Sequence, residues 1–315
     1  MKTSVIIPTL DDLLITQRLL KNIALQDKTP DEIIIIEGGS VKWSSRHIPE
    51  ILKKRTIILY KPNGGISPSK EFGRIKASGE ILFFFDNDVI PPKTYIKDAL
   101  FFFSRNIKTL GIGGYFIEEQ TQTKNKLSIA IGKVFKIYSN NERNVILKSG
   151  WGDYVRGKNL SIITSAEWLF GCNMALRSKI FLHKNVQIET QMKGWSFLED
   201  LLLGIKITKK FGVCMKILPE LNVFHKPVNR SGKLSKETLK MRYLYRYIIW
   251  RDYINDHSIQ SYLHYCLGFT ANFLLALKQI RRFWVIKISL QSLYLTIIHR
   301  NINFKHANTF IYSKN

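Results

Sequence analysis

Short, continuously apolar runs alternate with helical patterns in the N-terminal part of the chain, and this alternation constrains the fold more than any other sequence feature. The apolar runs are Ser4–Ile7, Glu32–Ile36, Thr56–Leu59 and Glu80–Phe85, and helical periodicity covers residues 13–26 and 67–78. Continuous apolar strands alternating with helices are typical of a parallel sheet covered on both faces. The sequence therefore predicts an α/β domain with a mostly parallel central sheet and flanking helices.

The C-terminal part of the chain has a different pattern. From residue 235 onward, apolar and aromatic side chains recur at spacings of three and four, as in Leu239, Tyr243 and Tyr247. Two further apolar segments, Tyr262–Leu277 and Phe283–Ile298, each fall short of the roughly 20 clean apolar residues that a transmembrane helix needs. We predict two domains: a catalytic-type α/β domain over residues 1–232 and a basic, amphipathic helical region over residues 233–315. That region either associates with a membrane interface or packs as a plain helical cap.

The net charge of the chain indicates which class of partner it binds. The chain carries 48 Lys and Arg against 24 Asp and Glu, a formal charge of +24, and residues 201–315 alone carry +15. Such an excess favours a polyanionic partner, which can be nucleic acid, an anionic membrane or a phosphorylated ligand. The N-terminus lacks a signal-peptide pattern, and the three widely spaced cysteines give no disulfide framework. These observations favour a reducing, cytoplasmic location.

Acidic residues follow two of the predicted strands. Asp86-Asn87-Asp88 comes directly after the apolar run ending at Phe85, and Glu37 follows the second run. Ligands of open α/β sheets bind at the carboxyl ends of strands. Two carboxylates at i and i+2 suit a hard divalent cation bound with a nucleotide diphosphate. The structural alternative is a solvated turn that begins a loop.

Three further patterns allow both a functional and a structural interpretation. Glu199-Asp200 opens a predicted helix, where a carboxylate pair serves either as a general base or as a favourable partner of the helix dipole. His225 follows an apolar run and is either a metal ligand or a strand-end histidine. Gly171-Cys172 permits close approach of a ligand to the backbone or makes a tight packing turn.

The order of these motifs along residues 3–226 resembles that of the family 2 glycosyltransferases, which are inverting enzymes of the GT-A fold. The resemblance rests on the motif series Val5–Thr9, Glu32–Ser40, Asn63 to Glu80, Asp86–Asp88, Trp168–Met174, Glu199–Asp200 and Pro219 to His225. The series is similar to that of membrane-associated glycosyltransferases of surface polysaccharide or glycan assembly. It implies a GT-A domain followed by a C-terminal α-helical extension.

The resemblance also implies a role for each matched position. It implies a catalytic base at Asp200 with Glu199 as its partner, and metal ligands at Asp88, Asp86 and His225 for Mg²⁺ or Mn²⁺. The positions implied to bind the nucleotide sugar are Pro8, Thr9, Glu37, Lys70 and Asp86. The positions implied to border the acceptor site are Gly171, Cys172 and Trp195. Glu37 stands where relatives usually carry an aspartate, and Lys70 stands near where they often carry an arginine.

The expected activity is metal-dependent transfer of a sugar from a nucleotide-diphosphate sugar to an acceptor hydroxyl, with inversion. Deprotonation of the attacking hydroxyl requires one base, and a single displacement requires no carboxylate nucleophile. We expect a lipid-linked or glycan acceptor, an anionic membrane surface as a partner, and a peripheral location on the cytoplasmic face of the membrane. The alternatives are a glycosyltransferase with a soluble acceptor and no membrane role, and a basic nucleic-acid-binding protein. If the protein is the expected glycosyltransferase, we expect it to have no nucleic-acid partner.

Overall fold

A mixed eight-stranded sheet lies at the centre of the N-terminal part of the chain. The computed structural model describes residues 1–61, 64–117, 126–140, 142–154, 161–226, 235–279 and 283–313. Its strands are β1 (Thr3–Thr9), β2 (Glu32–Glu37), β3 (Thr56–Tyr60), β4 (Ile81–Phe85), β5 (Val89–Ile90), β6 (Gly111–Gly113), β7 (Phe116–Ile117), β8 (Val145–Ile146), β9 (Gly152–Asp153), β10 (Thr164–Ala166), β11 (Asn173–Arg177), β12 (Met215–Ile217) and β13 (Val223–His225). The large sheet has the order β10-β12-β6-β11-β4-β1-β2-β3, and β5-β13-β7 form a smaller sheet. The fold is therefore the α/β architecture that the sequence predicts.

The direction of the strands determines which loops meet. β1 pairs in parallel with β2 and β4, and β2 pairs in parallel with β3. β11 instead runs antiparallel to β4, with Asn173 opposite Phe85. The residues that precede β11 therefore lie at the same edge as the residues that follow β4. The prediction of parallel pairing holds for β4-β1-β2-β3, whereas the other half of the sheet is mixed.

Helices cover the sheet and build the C-terminal region. They are α1 (Leu13–Ala24), α2 (Ile66–Lys76), α3 (Tyr95–Arg105), α4 (Lys126–Val134), α5 (Glu199–Phe211), α6 (Lys236–Ile249), α7 (Ile259–Gln279), α8 (Phe283–Ile298) and α9 (Phe304–Ile311). Gly73 lets α2 pack closely on the sheet, because a Cβ atom there would lie 2.6 Å from the Ile6 side chain and 2.7 Å from that of Ile36. A side chain at position 73 would therefore displace the buried Ile6 and Ile36 side chains.

The core of the sheet consists of completely buried aliphatic and aromatic residues. All five residues of β4 are buried, and the rings of Phe85 and Tyr95 pack edge to face with centroids 5.1 Å apart. Such burial stabilises the fold by about 1.5–3 kcal/mol for each large side chain. The rigid β4 strand places the acidic residues that follow it at a defined edge.

The chain forms two compact units. The first comprises Met1–Thr121, Arg156–Gly194 and Glu199–Val228, and the second comprises Gln122–Val155, Trp195–Leu198 and Asn229–Asn315. The predicted domain boundary at residue 232 lies outside the described residues. In the second unit, Leu239, Tyr243, Ala276, Val285 and Ile288 form an apolar core between α6, α7 and α8. Across the described ranges, no helix combines the length and the apolar character that crossing a bilayer requires.

Candidate active site

Several predicted site residues meet at the carboxyl edge of β1, β2 and β4. Pro8 and Thr9 end β1 beside Ile36 and Glu37 of β2, and Asp86 directly follows β4. The Gly38 amide donates to the Thr9 carbonyl oxygen at 2.8 Å, which ties the loop after β2 to β1. This edge is where open α/β sheets bind ligands.

Glu37 organises the loops at this edge. It is completely buried, and its carboxylate accepts hydrogen bonds from the Asp11 amide at 3.0 Å, the Gly39 amide at 2.7 Å and the Trp43 indole nitrogen at 3.0 Å. The Asp11 carboxylate in turn accepts from the Ser40 amide at 2.7 Å. No sequence motif signals this contact of Asp11 with the loop after β2. Contact of Glu37 with a nucleotide stays a prediction.

The three residues of the Asp86-Asn87-Asp88 motif point to different partners. The Asn87 amide nitrogen donates to the hydroxyls of Thr9 at 3.1 Å and Thr16 at 3.3 Å, which fastens the motif to β1 and α1. Asp88 Oδ1 lies 3.3 Å from Nε2 of His225. Pairing of β13 with β5 aligns His225 with Val89, one residue after Asp88. The sheet therefore brings Asp88 and His225 together across a long sequence separation.

The buried Lys70 side chain contacts three separate segments of the site. Only 1% of its side chain is exposed, and its ammonium donates to Glu199 Oε1 at 2.7 Å and to the Gly171 carbonyl oxygen at 2.8 Å. Asp86 Oδ1 lies 3.3 Å from the same ammonium. A buried ammonium requires such partners, because burying an isolated charge is very costly. Lys70 therefore connects the loop after β4, the loop before β11 and the start of α5.

Gly171 is required by the crowding at this point. A Cβ atom on Gly171 would lie 2.5 Å from Glu199 Oε1 and 3.0 Å from the Lys70 ammonium. Its amide donates to Asp200 Oδ2 at 3.0 Å, and Asp200 Oδ1 accepts from the Leu201 amide at 2.8 Å. The backbone before β11 thus orients the carboxylate of Asp200.

Burial dominates the protonation equilibria of this cluster. It raises the pKa of the Glu199 carboxyl to about 7, since the opposing charge of Lys70 does not fully compensate. Burial also raises the pKa of Asp200, against the hydrogen bond from Gly171. For Lys70, burial favours the neutral amine, but the carboxylates of Asp86 and Glu199 outweigh it and raise the pKa of the ammonium. In this cluster, Lys70 therefore stays charged, while the carboxyl groups of Glu199 and Asp200 have pKa values above their ordinary ones.

The Cys172 side chain lies against the core, and its position beside the acceptor stays a prediction. Its side chain packs against the main core, and burial raises the pKa of its thiol well above the ordinary value. A protonated thiol is a weak nucleophile. Its carbonyl oxygen accepts from the Asp86 amide at 3.4 Å, which joins the residues before β11 to the motif after β4.

The predicted metal ligands supply suitable donor atoms. Carboxylate oxygens with one imidazole nitrogen suit Mg²⁺ or, better, Mn²⁺. Asp86 Oδ1 is buried without a hydrogen-bond partner, and the cluster holds more carboxylates than cations. Among the described residues, however, no three His, Cys, Asp or Glu side chains are arranged as one metal-binding group. In the arrangement seen, Asp88 faces His225 while Asp86 faces Lys70.

Trp195 belongs to the second compact unit, unlike the other predicted site residues. Its side chain is 46% exposed, and its ring packs against Phe197 with centroids 5.6 Å apart. Asn63 of the motif series lies outside the described residues. The structure thus gathers Thr9, Asp86, Lys70, Gly171, Glu199 and Asp200 around one edge of the first unit.

Known structures share this fold. The match to S. aureus TarS residues 1–349 has a TM-score of 0.54 at 14% identity and covers 88% of this chain and 73% of that one. The same TarS region in complex with UDP gives a TM-score of 0.55 at 14% identity, with 99% and 89% covered. GalNAc-T7 with UDP, GalNAc and Mn²⁺ gives 0.58 at 15% identity, with 85% of this chain and 54% of that chain covered. No curated protein sequence matches the chain.

A family description also matches directly in sequence. Residues 4–168, more than half of the chain, match the family described as Glycosyl transferase family 2. The matched range includes Asp86 and Asp88 and ends before Glu199, Asp200 and His225. Together with the GT-A-like fold and the cluster at the edge of β1, β2 and β4, this match shows that the chain belongs to glycosyl transferase family 2 and is a glycosyltransferase.

Proposed function

We propose that the protein transfers a sugar from a nucleotide-diphosphate sugar to an acceptor hydroxyl, with Asp200 as the general base. The observation that carries this proposal is the orientation of the Asp200 carboxylate by two backbone amides, those of Gly171 and Leu201, within the buried cluster around Lys70. A base must be held in a fixed geometry to accept a proton as the bond to carbon forms. Its raised pKa makes the carboxylate a better proton acceptor.

The proposed step is a single displacement at the anomeric carbon. The acceptor oxygen forms a bond to that carbon, its proton passes to the Asp200 carboxylate, and the bond to the diphosphate oxygen breaks. The nucleoside diphosphate leaves with the bonding electron pair. Because one carboxylate acts on one face of the sugar, the configuration inverts.

The residues proposed to hold a divalent cation are Asp88, His225 and Asp86. The cation would offset the negative charge that develops on the diphosphate. Two observations support this proposal: the Asp88 to His225 contact of 3.3 Å, and the Mn²⁺ named with the structurally similar GalNAc-T7.

The nucleotide is proposed to bind beside Pro8, Thr9, Glu37 and Asp86. TarS and GalNAc-T7, which share the fold, were each crystallised with UDP. In this chain, Glu37 acts through the loops that it fastens. Lys70 holds Glu199 and Asp86 in place, since its ammonium lies 2.7 Å from Glu199 Oε1 and 3.3 Å from Asp86 Oδ1.

A panel of nucleotide sugars tests the donor proposal. The purified chain is incubated with each sugar, with and without Mn²⁺, and the released nucleoside diphosphate is measured. We expect release from at least one donor, stimulation by Mn²⁺, and a loss of about 10²-fold or more in D88N. The exposed Asp27 provides the matched control, and D27N should retain full activity. Equal activity of D88N and D27N would overturn the assignment of Asp88.

The second unit supports a proposal about where the enzyme works. α8 buries Val285, Ile288 and three small polar residues, namely Ser289, Ser292 and Thr296. It exposes its large apolar side chains, which are Phe283, Ile286, Leu290, Leu293, Tyr294, Ile297 and Ile298. Ser289 is satisfied inside the protein, since it contacts the Tyr243 hydroxyl at 2.8 Å. An ordinary surface helix has the opposite arrangement.

α7 shares part of this arrangement, and the charge of the segment complements an anionic surface. α7 buries the polar Ser261 and Asn272 as well as Tyr265 and Ala276, and it exposes Tyr262, Leu263, Leu274 and Leu275. Residues 257–315 contain seven Lys and Arg and no Asp or Glu. Exposed apolar side chains among cations suit the interface of an anionic membrane. We propose that the catalytic region at 1–232 acts at the cytoplasmic face of a membrane, held there by residues 233–315, on a lipid-linked acceptor.

Sedimentation with vesicles tests this location. The full chain should sediment with phosphatidylglycerol vesicles and much less with phosphatidylcholine vesicles. The double variant L290E/I297E places charges on the exposed face of α8 and should lose binding by about tenfold or more. The matched control L14E/L182E introduces the same charges at exposed positions of the first unit. Equal binding of both double variants would exclude α8 as the membrane contact.

A further inference from the structure

Two arginines on α6 lack any carboxylate partner among the described residues. Arg246 is buried, with only 3% of its surface exposed. It donates through Nε to the Arg242 carbonyl oxygen at 3.3 Å and through Nη1 to the Gly150 carbonyl oxygen at 3.5 Å. Nε of the half-buried Arg242 is itself buried without a hydrogen-bond partner. Backbone carbonyls thus occupy two nitrogens of Arg246, whereas Arg242 Nε has no acceptor in the protein.

Aromatic rings, rather than acids, surround the pair. The Arg246 guanidinium carbon lies 3.8 Å from the Trp151 ring centre and 5.7 Å from that of Phe197. The Arg242 guanidinium carbon lies 5.6 Å from the same Phe197 ring. Cation–π contacts hold the planar groups in place but satisfy none of their in-plane N–H donors. The rings thus hold the planes of both groups, and Arg242 Nε is left to bind an acceptor from outside the protein.

Two buried lysines of the first unit have carboxylate partners instead. The buried Lys70 contacts Glu199 and Asp86, and the largely buried Lys206 lies 3.8 Å from Glu189. The arginine pair instead brings two like charges together. Burial and the neighbouring Arg242 lower the pKa of Arg246 to about 9. Such an arrangement is unfavourable unless an anion joins it.

We propose that Arg242 and Arg246 form a binding site for a phosphate or diphosphate group. Guanidinium groups bind the oxygens of phosphate through paired, charge-assisted hydrogen bonds, and aromatic stacking presents them for this contact. An anion reaches the pair from the side of the partly exposed Arg242 and Phe197 and neutralises the two adjacent charges. The site is independent of the proposed sugar transfer, since it needs no donor sugar and no catalytic base. The phosphate can come from a soluble diphosphate or from a lipid headgroup.

Binding of pyrophosphate to the full-length chain tests the site. Calorimetric titration at constant ionic strength should show binding by the wild type, and pyrophosphate should raise its melting temperature. R242Q should weaken binding by about tenfold. R246K keeps the positive charge but loses the planar set of donors of the guanidinium group. This variant should weaken pyrophosphate binding by a smaller factor. The exposed Lys305 provides the control for net charge, and K305Q should bind as the wild type does.

Three results would overturn the proposal. They are the absence of binding by the wild type, equal affinity of R242Q and wild type, and an equal loss in K305Q. Melting curves without ligand show whether each variant is folded, so that a loss of binding is not confused with unfolding. R242Q is suited to this purpose because Arg242 is only half-buried.

A second pair of measurements identifies the source of the phosphate. Vesicles containing phosphatidic acid present a phosphate monoester, whereas phosphatidylglycerol vesicles of equal charge do not. If R242Q reduces binding to phosphatidic acid vesicles selectively, a lipid phosphate is the ligand. If it reduces only pyrophosphate binding, the ligand is a soluble diphosphate. If R242Q changes neither, the site is excluded.

Discussion

α5 and α8 are both rich in leucine and isoleucine, but α5 buries these side chains whereas α8 exposes most of them. α5 buries Leu201, Leu202, Leu203, Ile205 and Ile207 and ends in the basic residues Lys209 and Lys210. α8 buries serine and threonine on the side where a core helix would place leucine, and exposes Leu290, Leu293 and Ile297. α5 has the pattern of a helix that completes a protein core.

The difference teaches that composition alone does not say where an apolar helix finds its partner. α5 finds its partner inside the first unit, and this burial fixes Glu199 and Asp200 at its first turn. Only part of the apolar surface of α8, including Val285 and Ile288, packs inside the second unit. The remainder of its apolar surface fits an environment outside the chain, which we propose to be a membrane interface.

The largest stability effect is expected at the charge cluster that α5 helps to form. K70M leaves the carboxylates of Glu199 and Asp86 without their shared cation, and we expect the free energy of unfolding to fall by about 3–5 kcal/mol. Lys76 lies on the exposed side of α2, the helix that carries Lys70. K76M should change the free energy of unfolding by less than about 0.5 kcal/mol. Urea unfolding measures both. If K70M is as stable as K76M, Lys70 does not hold the cluster together.

Truncation of one leucine on each helix tests the comparison itself. Leu202 is 1% exposed on α5, whereas Leu290 is 61% exposed on α8. L202A should lower the free energy of unfolding by about 2–5 kcal/mol, and L290A by less than about 0.5 kcal/mol. Equal losses would mean that the outer face of α8 is packed against protein in solution, and the membrane proposal would fail.

A smaller effect is expected in the pH dependence of stability. The pKa of Glu199 is about 7 in the folded protein and has an ordinary value of 4.5. Between these values the folded state binds more protons than the unfolded state, so the free energy of unfolding should fall as the pH rises from 4.5 toward 7. E199Q removes this contribution.

Urea unfolding at several pH values checks the slope. The control is E220Q, at an exposed position, which should keep the wild-type slope. An identical slope in E199Q and wild type would show that Glu199 is not the group responsible.

The sequence predicts the local elements of the first unit well. β-branched runs identify β1, β2 and β3, an aliphatic and aromatic run identifies β4, and the acidic motif predicted to follow β4 does so in the structure. These features depend on short-range patterns. The arrangement of the second half of the sheet does not, because the direction of β11 depends on how distant segments pack.

The interactions of individual site residues could not be predicted. Lys70 and Glu199 are 129 residues apart, and their contact depends on the depth at which α2 packs on the sheet. The structure places the Lys70 ammonium against Asp86 and Glu199, and the contact with the nucleotide that the resemblance implies stays a prediction. Similarly, α8 carries a polar stripe of Ser289, Ser292 and Thr296, but its sequence does not say that this stripe, rather than the apolar side, packs on the protein.

Transfer by the D200N variant tests the central claim most directly, namely that Asp200 is the general base of a glycosyltransferase. The variant replaces one carboxylate oxygen with an amide nitrogen at nearly constant volume. With a donor from the nucleotide-sugar panel, we expect the transfer rate to fall by about 10²–10⁴-fold while the affinity for the nucleoside diphosphate stays within about twofold. Transfer at a rate near that of the wild type, with unchanged donor affinity, would contradict the assignment of Asp200.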